Sequence, residues 1–373
     1  MTKALKIAVI SFGVVVSPSA WAGNTYATNT VAGGQVAQQS ASQVSTVISS
    51  RISQAVSAGT SSGTAITPTV PSGGGGGGGT GGPGGPGGPG GTPQQGSSLL
   101  NFGDGKSAGS ATKDFGVWAN FGNAWIKDDH QYENFHGIIA TAVLGADYRV
   151  TDQFLVGVAT GYEGARITTP FNNGSLTANN VGIAPYMGYN FNQNYSVDAT
   201  AGYAFLKYNM TRLSNSVYGT TYGGRVFGAT NFNAKTTMGN WQLGTGLGYM
   251  YLSEAQNAYR EMGTAGTQVD RVNIRLGQLR STTRVGYFET TDWGFLNPYV
   301  SVRPEYDVNK SPAGIVDATT GTKAVSDRFG ATFAGGLVAG VGDDLTLMLE
   351  GSSGQFRSHM SMNGLTGTIR YRF

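Results

Sequence analysis

The last ten residues alternate with a period of two. Leu365, Gly367, Ile369, Tyr371 and Phe373 fall on one side, and Thr366, Thr368, Arg370 and Arg372 on the other. Successive side chains of an extended strand point to opposite faces, so this is a strand with one apolar, aromatic-ended face and one polar face. The same period reaches back to Asp114. It marks twelve candidate strands, near residues 115–125, 136–149, 154–166, 177–191, 195–209, 224–237, 240–252, 272–289, 295–306, 328–341, 345–353 and 364–373. In one of them Tyr195, Val197, Ala199, Ala201, Tyr203 and Phe205 oppose Ser196, Asp198, Thr200, Gly202 and Ala204. The connections alternate too. Short ones fall at 150–153, 192–194, 238–239, 290–294 and 342–344, and long ones at 126–135, 167–176, 210–223, 253–271, 307–328 and 354–363. Insertion into a membrane from one side produces that alternation, with turns on one rim and loops on the other. The pattern predicts an all-β fold over residues 114–373, a 12-stranded antiparallel transmembrane β-barrel with both ends on the rim of the short turns.

Ahead of the strands the period changes. Val36, Val44, Val47, Ile48, Ile52, Ala55 and Val56 recur at helical spacing, which predicts a weakly amphipathic α-helix over 35–58, inside a Ser/Thr-rich segment, 23–72. Its Ser and Thr content leaves it little stability alone, so it needs a partner surface. Residues 73–113 are a Gly/Pro-rich linker and irregular chain with no means of forming a core. At the N-terminus Lys3 and Lys6 precede an apolar run, 7–16, and then Ala20-Trp21-Ala22, the pattern of a signal peptide over 1–22 cleaved between Ala22 and Gly23. No stretch has the roughly eighteen apolar residues of a membrane helix.

Composition sharpens this picture. Sixty Gly, eighteen Tyr, 12% charged residues and a mean hydropathy of −0.16 suit strands with aromatic girdles and one polar face. The formal net charge of +3 falls to +1 without Lys3 and Lys6, which gives no reason to expect nucleic acid as a partner. The absence of cysteine excludes disulfides, Fe–S clusters and a thiol nucleophile.

Four stretches resemble the C-terminal β-domain of autotransporters, the type V secretion family. They are the ending Gly-Leu-Thr-Gly-Thr-Ile-Arg-Tyr-Arg-Phe, Leu296-Asn297-Pro298-Tyr299, the Gly-Val-Trp opening at Gly116 to Trp118, and Asp343-Asp344-Leu345-Thr346-Leu347. The resemblance implies a monomeric barrel in the outer membrane of a Gram-negative bacterium, among outer-membrane lipids. It also implies handling by periplasmic chaperones and insertion by the barrel assembly machinery, with Leu365, Ile369, Tyr371 and Phe373 as the assembly signal. A family member exports or displays its N-terminal segment and threads a helix through the pore. This chain departs from the pattern in its passenger of at most about ninety residues, with no β-helix repeat. Its glycine tether also separates the helix from the first strand. The expectation is that residues 35–58 fill the lumen. The alternatives are a surface adhesin or receptor acting through its loops, and a small diffusion porin.

Strand parity turns Arg280, Arg284, Arg303, Glu305, Glu350 and Arg370 into the lumen, with Asp147, Arg149, Asp198 and Arg372, where they would brace the wall or hold a plug. A charge facing lipid at the midplane costs about 2–4 kcal/mol for Arg or Lys, so parity is strongly enforced. The three histidines, His130, His136 and His359, stand in no nucleophile or carboxylate motif, so no catalytic residue is expected. Asp128-Asp129-His130 falls short of a calcium site, and the glycines of 244–248 lie mid-strand without a following helix. No metal or cofactor is expected.

Overall fold

The computed structural model describes residues 115–129, 134–311 and 327–373, together with Thr28, Ala32, Gly33, Val36, Ala37 and residues 44–48. The signal-peptide residues Ala20, Ala22 and Gly23, residues 49–58 and the linker 73–113 lie outside this set. Twelve long strands follow one another: β1 Phe115–Asp128, β2 Phe135–Arg149, β3 Phe154–Thr169, β4 Gly174–Asn190, β5 Tyr195–Arg212 and β6 Val217–Met238. The second half comprises β7 Trp241–Gln256, β8 Val272–Tyr287, β9 Gly294–Ser311, β10 Phe329–Val341, β11 Leu345–Gln355 and β12 Met360–Arg372. Each pairs antiparallel with its chain neighbour. The last strand then returns to the first, from Gly116↔Arg372 to Asp128↔Met360, and the sheet closes. Closure removes both edges, the only way a sheet satisfies its backbone in lipid.

One face of every strand is outward. It carries exposed apolar and aromatic side chains such as Leu144, Phe205, Leu247, Leu349 and Ile369, which water would not tolerate at this density but lipid does. The rim that holds Phe115 and Phe373, whose rings are 5.9 Å apart, is the terminal rim. The opposite one is the loop rim.

At the loop rim the strands run further than their alternation shows. Pairing continues to Thr169↔Gly174 and to Arg212↔Val217. The loops expected at 167–176, 210–223 and 354–363 therefore contract to reversals at 170–173, 213–216 and 356–359. There the outward face turns to Thr and Asn while the inward face keeps Ile167, Leu176, Met210 and Val217. The sense of the alternation therefore inverts while the backbone ladder persists. The 213–216 reversal is made by three left-handed residues, Leu213, Ser214 and Asn215, at φ 50°, 54° and 69°. Among the connections of the loop rim, 257–271 and 312–328 stay long. The first folds into a small hairpin, Tyr259–Arg260 against Gln268–Val269, and Met262–Gly263 pairs onto β6.

Candidate functional site in the barrel lumen

The inner face is built from the alternate residues of every strand, and its two sides differ. From β2 to β8 it is largely apolar toward the loop rim: Ile139, Val143, Ile167, Leu176, Leu206 and Leu252 are all nearly or fully buried. Apolar residues facing a water-filled pore would be exposed, so something covers them. The cover is the N-terminal segment, whose described residues are helical. Ala32 and Val36 pack on Ile139, Ile167 and Leu176, while Ala37 and Ile48 pack on Val143, Leu155, Met250 and Leu252. Thr28, Ala32 and Val36 stand four residues apart, one face of a helix. The expected helix at 35–58 therefore contains residues in the lumen, and helical residues also precede it.

Polar contacts fix the direction of this segment. At the loop rim Thr28 donates to the Thr211 carbonyl at 3.0 Å and accepts from Asn172 at 2.8 Å. Lower in the barrel Ser45 accepts from Arg280 Nη1 at 3.2 Å, and Thr46 accepts from Arg303 Nη1 at 3.1 Å. The segment thus runs from the loop rim into the lumen.

Embedded in the apolar wall is a closed ionic cluster. Arg225 donates through Nε to Glu254 at 2.7 Å and through Nη1 to Glu163 at 3.0 Å. Tyr208 and Gln256 donate to the other Glu254 oxygen at 2.9 and 2.7 Å, and Asn180 donates to the other Glu163 oxygen at 2.8 Å. All four carboxylate oxygens are satisfied, the condition under which buried charges persist.

From β9 to β12, with the facing part of β1, the wall is polar and small, with Ser301, Thr332, Ser352 and Thr366. Between it and the helical segment lies a cavity of about 230 Å³, lined also by Arg280, Arg284, Arg303 and Glu350. Arg284 lies over the Tyr299 ring, and Tyr299 donates to Glu350 at 2.6 Å. Toward the loop rim Arg357 bridges Glu305 at 3.0 Å and Asp307 at 2.8 Å.

The terminal-rim layer is aromatic. Trp118 donates to Tyr186 and Tyr186 to Asp147, each at 2.9 Å. These rings lie across glycines. A Cβ at Gly145 would stand 2.3 Å from Trp118, and one at Gly157 the same distance from Tyr186. At the loop rim Arg212 and Glu261 form a two-pronged pair at 2.6 and 2.9 Å, which ties the 257–271 hairpin over the mouth. Burial alone would raise the Glu261 carboxyl, but the hydrogen bonds from Arg212 and Thr267 outweigh it and hold the carboxyl below its ordinary value.

The structure places Arg280, Glu305 and Arg370 buried on the inner face, and Arg284, Arg303 and Glu350 half-buried there. Leu365, Ile369, Tyr371 and Phe373 are exposed on the outer face. The ring of His359 bonds Asp129 at 3.0 Å on the exposed loop rim, His136 is exposed on β2, and His130 lies outside the described residues. Sequence reading passed over Arg225, Glu254, Arg212 and Arg357. The first three share inward parity with Phe227, Met250 and Tyr208, and the signal was there once the strands were extended to their true ends. Arg357 lies in a reversal, where parity has no meaning.

A closed twelve-stranded barrel with a lipid-facing exterior and residues of its own N-terminal segment in the lumen defines a class of membrane β-barrel with an internal plug. The comparisons narrow it. The family model of the autotransporter β-domain matches residues 117–352, and the chain belongs to that family. Among solved structures, the translocator domain of the autotransporter NalP from Neisseria meningitidis superposes with a TM-score of 0.57 at 11% identity, over 71% of this chain and 90% of that one. The β-domain of the Bordetella autotransporter BrkA gives 0.58 at 14% identity, over 70% and 100%. At such identity the likeness is one of fold. No curated protein matches the sequence. The protein is an outer-membrane, autotransporter-like barrel.

Proposed function

We propose that this barrel is inserted in a Gram-negative outer membrane through its final strand, with the terminal rim facing the periplasm, and that it carries its own N-terminal segment through the lumen. The start of that segment reaches the cell surface and the remainder stays as a plug. Periplasmic chaperones and the barrel assembly machinery are the partners this reading calls for. The closed wall needs no second copy, and the role is non-enzymatic. The observation that carries it is the direction of the segment, with Thr28 held at the loop rim and Ser45 and Thr46 held at mid-lumen by Arg280 and Arg303. An open diffusion pore suits the lumen less well, because the wall from β2 to β8 is largely apolar toward the loop rim and covered there.

The chain has no cysteine, so single cysteines report topology directly. With Thr25→Cys, a membrane-impermeant maleimide is expected to label intact cells. With Thr60→Cys, labelling is expected only after the outer membrane is permeabilised. Equal labelling of both positions on intact cells would show a fully displayed segment and overturn the retained plug.

A further inference from the structure

Charges on the outward face of the barrel are few, and their placement is one-sided. Along the twelve strands the outward positions carry four bases, Lys127 on β1, Arg166 on β3, Lys207 on β5 and Arg275 on β8, and no acid. Lys310 does not join them: the bulge at Gly277/Gln278 turns it inward, onto Asp307 at 3.7 Å. All four stand at one height. On β5 the outward face runs Tyr195, Val197, Ala199, Ala201, Tyr203, Phe205, then Lys207. Ten residues at about 3.3 Å, tilted about 40°, span about 25 Å, the height of a bilayer-facing band. Lys207 is the first side chain beyond it. Lys127 follows Trp125 in the same way, Arg166 lies beyond Tyr162, and Arg275 lies opposite Ser253, one step past Tyr251. The turns of the other rim invert the sign. They carry Asp152, Glu289, Asp292, Asp343 and Asp344 and no base.

A base at the edge of the band avoids the penalty it would meet at the midplane. The connections of the loop rim carry both signs, with Asp129, Asp270 and Asp327 among Arg260, Arg271 and Arg357. The sorting is therefore between the lipid-facing strand positions and the turns of the terminal rim, which avoidance alone would not produce. Three of the bases form a row on alternate strands: Lys127 is paired with His136, Arg166 with Thr177, and Lys207 with Tyr222, whose ring it covers at 5.9 Å. From β1 to β5 it spans roughly 20 Å at about 4.8 Å per strand. Lys127 has an acidic neighbour, Asp129, at 3.8 Å, in a pair more than half exposed and therefore weak. Arginine and lysine at a lipid–water boundary favour anionic headgroups, and guanidinium groups match phosphate oxygens in pairs.

We propose that this row of bases binds phosphorylated lipid headgroups of the leaflet at the loop rim, a contact that the acidic turns of the other rim would not make, and so fixes the height and orientation of the barrel. The proposal rests on the membrane placement given above. The test uses the purified full-length protein in neutral detergent. Micelles are doped with a lipid bearing a phosphomonoester, with the matching phosphate-free diacylglycerol, or with inorganic phosphate in place of lipid, and the thermal unfolding midpoint is followed. The phosphate lipid alone is expected to raise the midpoint, and high salt to abolish the rise. Each base neutralised among Lys127→Gln, Arg166→Gln, Lys207→Gln and Arg275→Gln is expected to weaken binding by roughly fivefold. Neutralising Glu289, Asp292, Asp343 and Asp344 instead should change nothing. An undiminished rise in the four-base variant, or an equal rise with diacylglycerol, overturns the proposal; Lys127→Arg should keep the effect if charge carries it. Maleimide labelling of Lys127→Cys and Asp343→Cys on intact cells checks the placement separately. Label at Asp343→Cys alone would reject the orientation and leave the headgroup chemistry standing.

Discussion

The two sides of the lumen wall do different work with the same strand geometry. From β2 to β8 the inward positions toward the loop rim are mostly Ile, Val, Leu, Met and Ala around one ionic cluster with every oxygen satisfied. Asp198, Asn231, Gln242 and Arg284 keep the lower part polar. From β9 to β12 those around the cavity of about 230 Å³ are Ser, Thr, Gly and Arg, with Phe295, Tyr299 and Val338 clustered toward the terminal rim. A helix laid against the first side buries apolar surface, and each fully buried Ile or Val side chain contributes about 1.5–3 kcal/mol. Toward the second side, from Arg280 at its boundary on β8 and from Arg303 on β9, it gains hydrogen bonds each worth about 1–3 kcal/mol net at most. The plug is therefore held by one wall and only steered by the other.

The sharpest way to break that contrast is to remove one charge from each side. Arg225→Ala leaves Glu163 and Glu254 buried without their cation, and the expected loss is about 3–5 kcal/mol. Arg303→Ala removes one bond to Thr46 beside a cavity, and about 1 kcal/mol is expected. Urea unfolding midpoints in micelles compare the two, and equal losses would mean that the walls do not differ. Next in size is the plug itself. Ile48→Asp sets a carboxylate against Val143, Leu155 and Leu252, so the segment should leave the wall and single-channel conductance should rise. Ser45→Ala touches the polar side and should leave conductance near its original level. A rise with Ser45→Ala as large as with Ile48→Asp would place the grip on the wrong wall.

Much of this architecture was legible in the chain because lipid enforces parity. A residue between two outward aromatics, such as Ala204 between Tyr203 and Phe205, must point inward, and twelve strands could be counted that way. Legibility failed where lipid stops. Beyond Phe205 and Tyr222 the outward face of β5 and β6 loses its run of apolar residues while Tyr208, Met210 and Val217 point inward. The strands therefore continue to Arg212 and from Val217 with the alternation reversed. The same blindness hid Arg225, Arg212 and Glu254, which sit at or past the ends of the visible pattern. The apolar quality of one lumen wall was hidden for a different reason. Ile139 or Leu252 reads as an ordinary strand residue until its neighbours around the barrel are known, and neighbours in the barrel come from register, which single strands do not reveal. The helical residues of the N-terminal segment could be seen, but their partner could not.

The smallest expected effect concerns the lid over the apolar wall, where Tyr259 and Val269 of the 257–271 hairpin bury beside Ala32 and Val36. Arg212 holds the hairpin through Glu261, whose carboxyl lies below its ordinary value. A group with a depressed folded value contributes its stability at pH above the unfolded value, about 4.3 for Glu, and that contribution is lost as pH falls through the folded value. The hairpin should therefore be fully docked near neutrality and should loosen only in acid below the ordinary carboxylate range. Hydrogen exchange over 257–271, corrected for the intrinsic rate at each pH, follows it. Glu261→Gln should exchange faster than the wild type at neutral pH and lose the acid step, while the unfolding midpoint of the barrel stays unchanged. If the hairpin of the wild type instead loosened on raising the pH, or if Glu261→Gln kept the acid step, another group would be holding the lid. A shift of the whole barrel with Glu261→Gln would make the lid part of the wall rather than a cover over it.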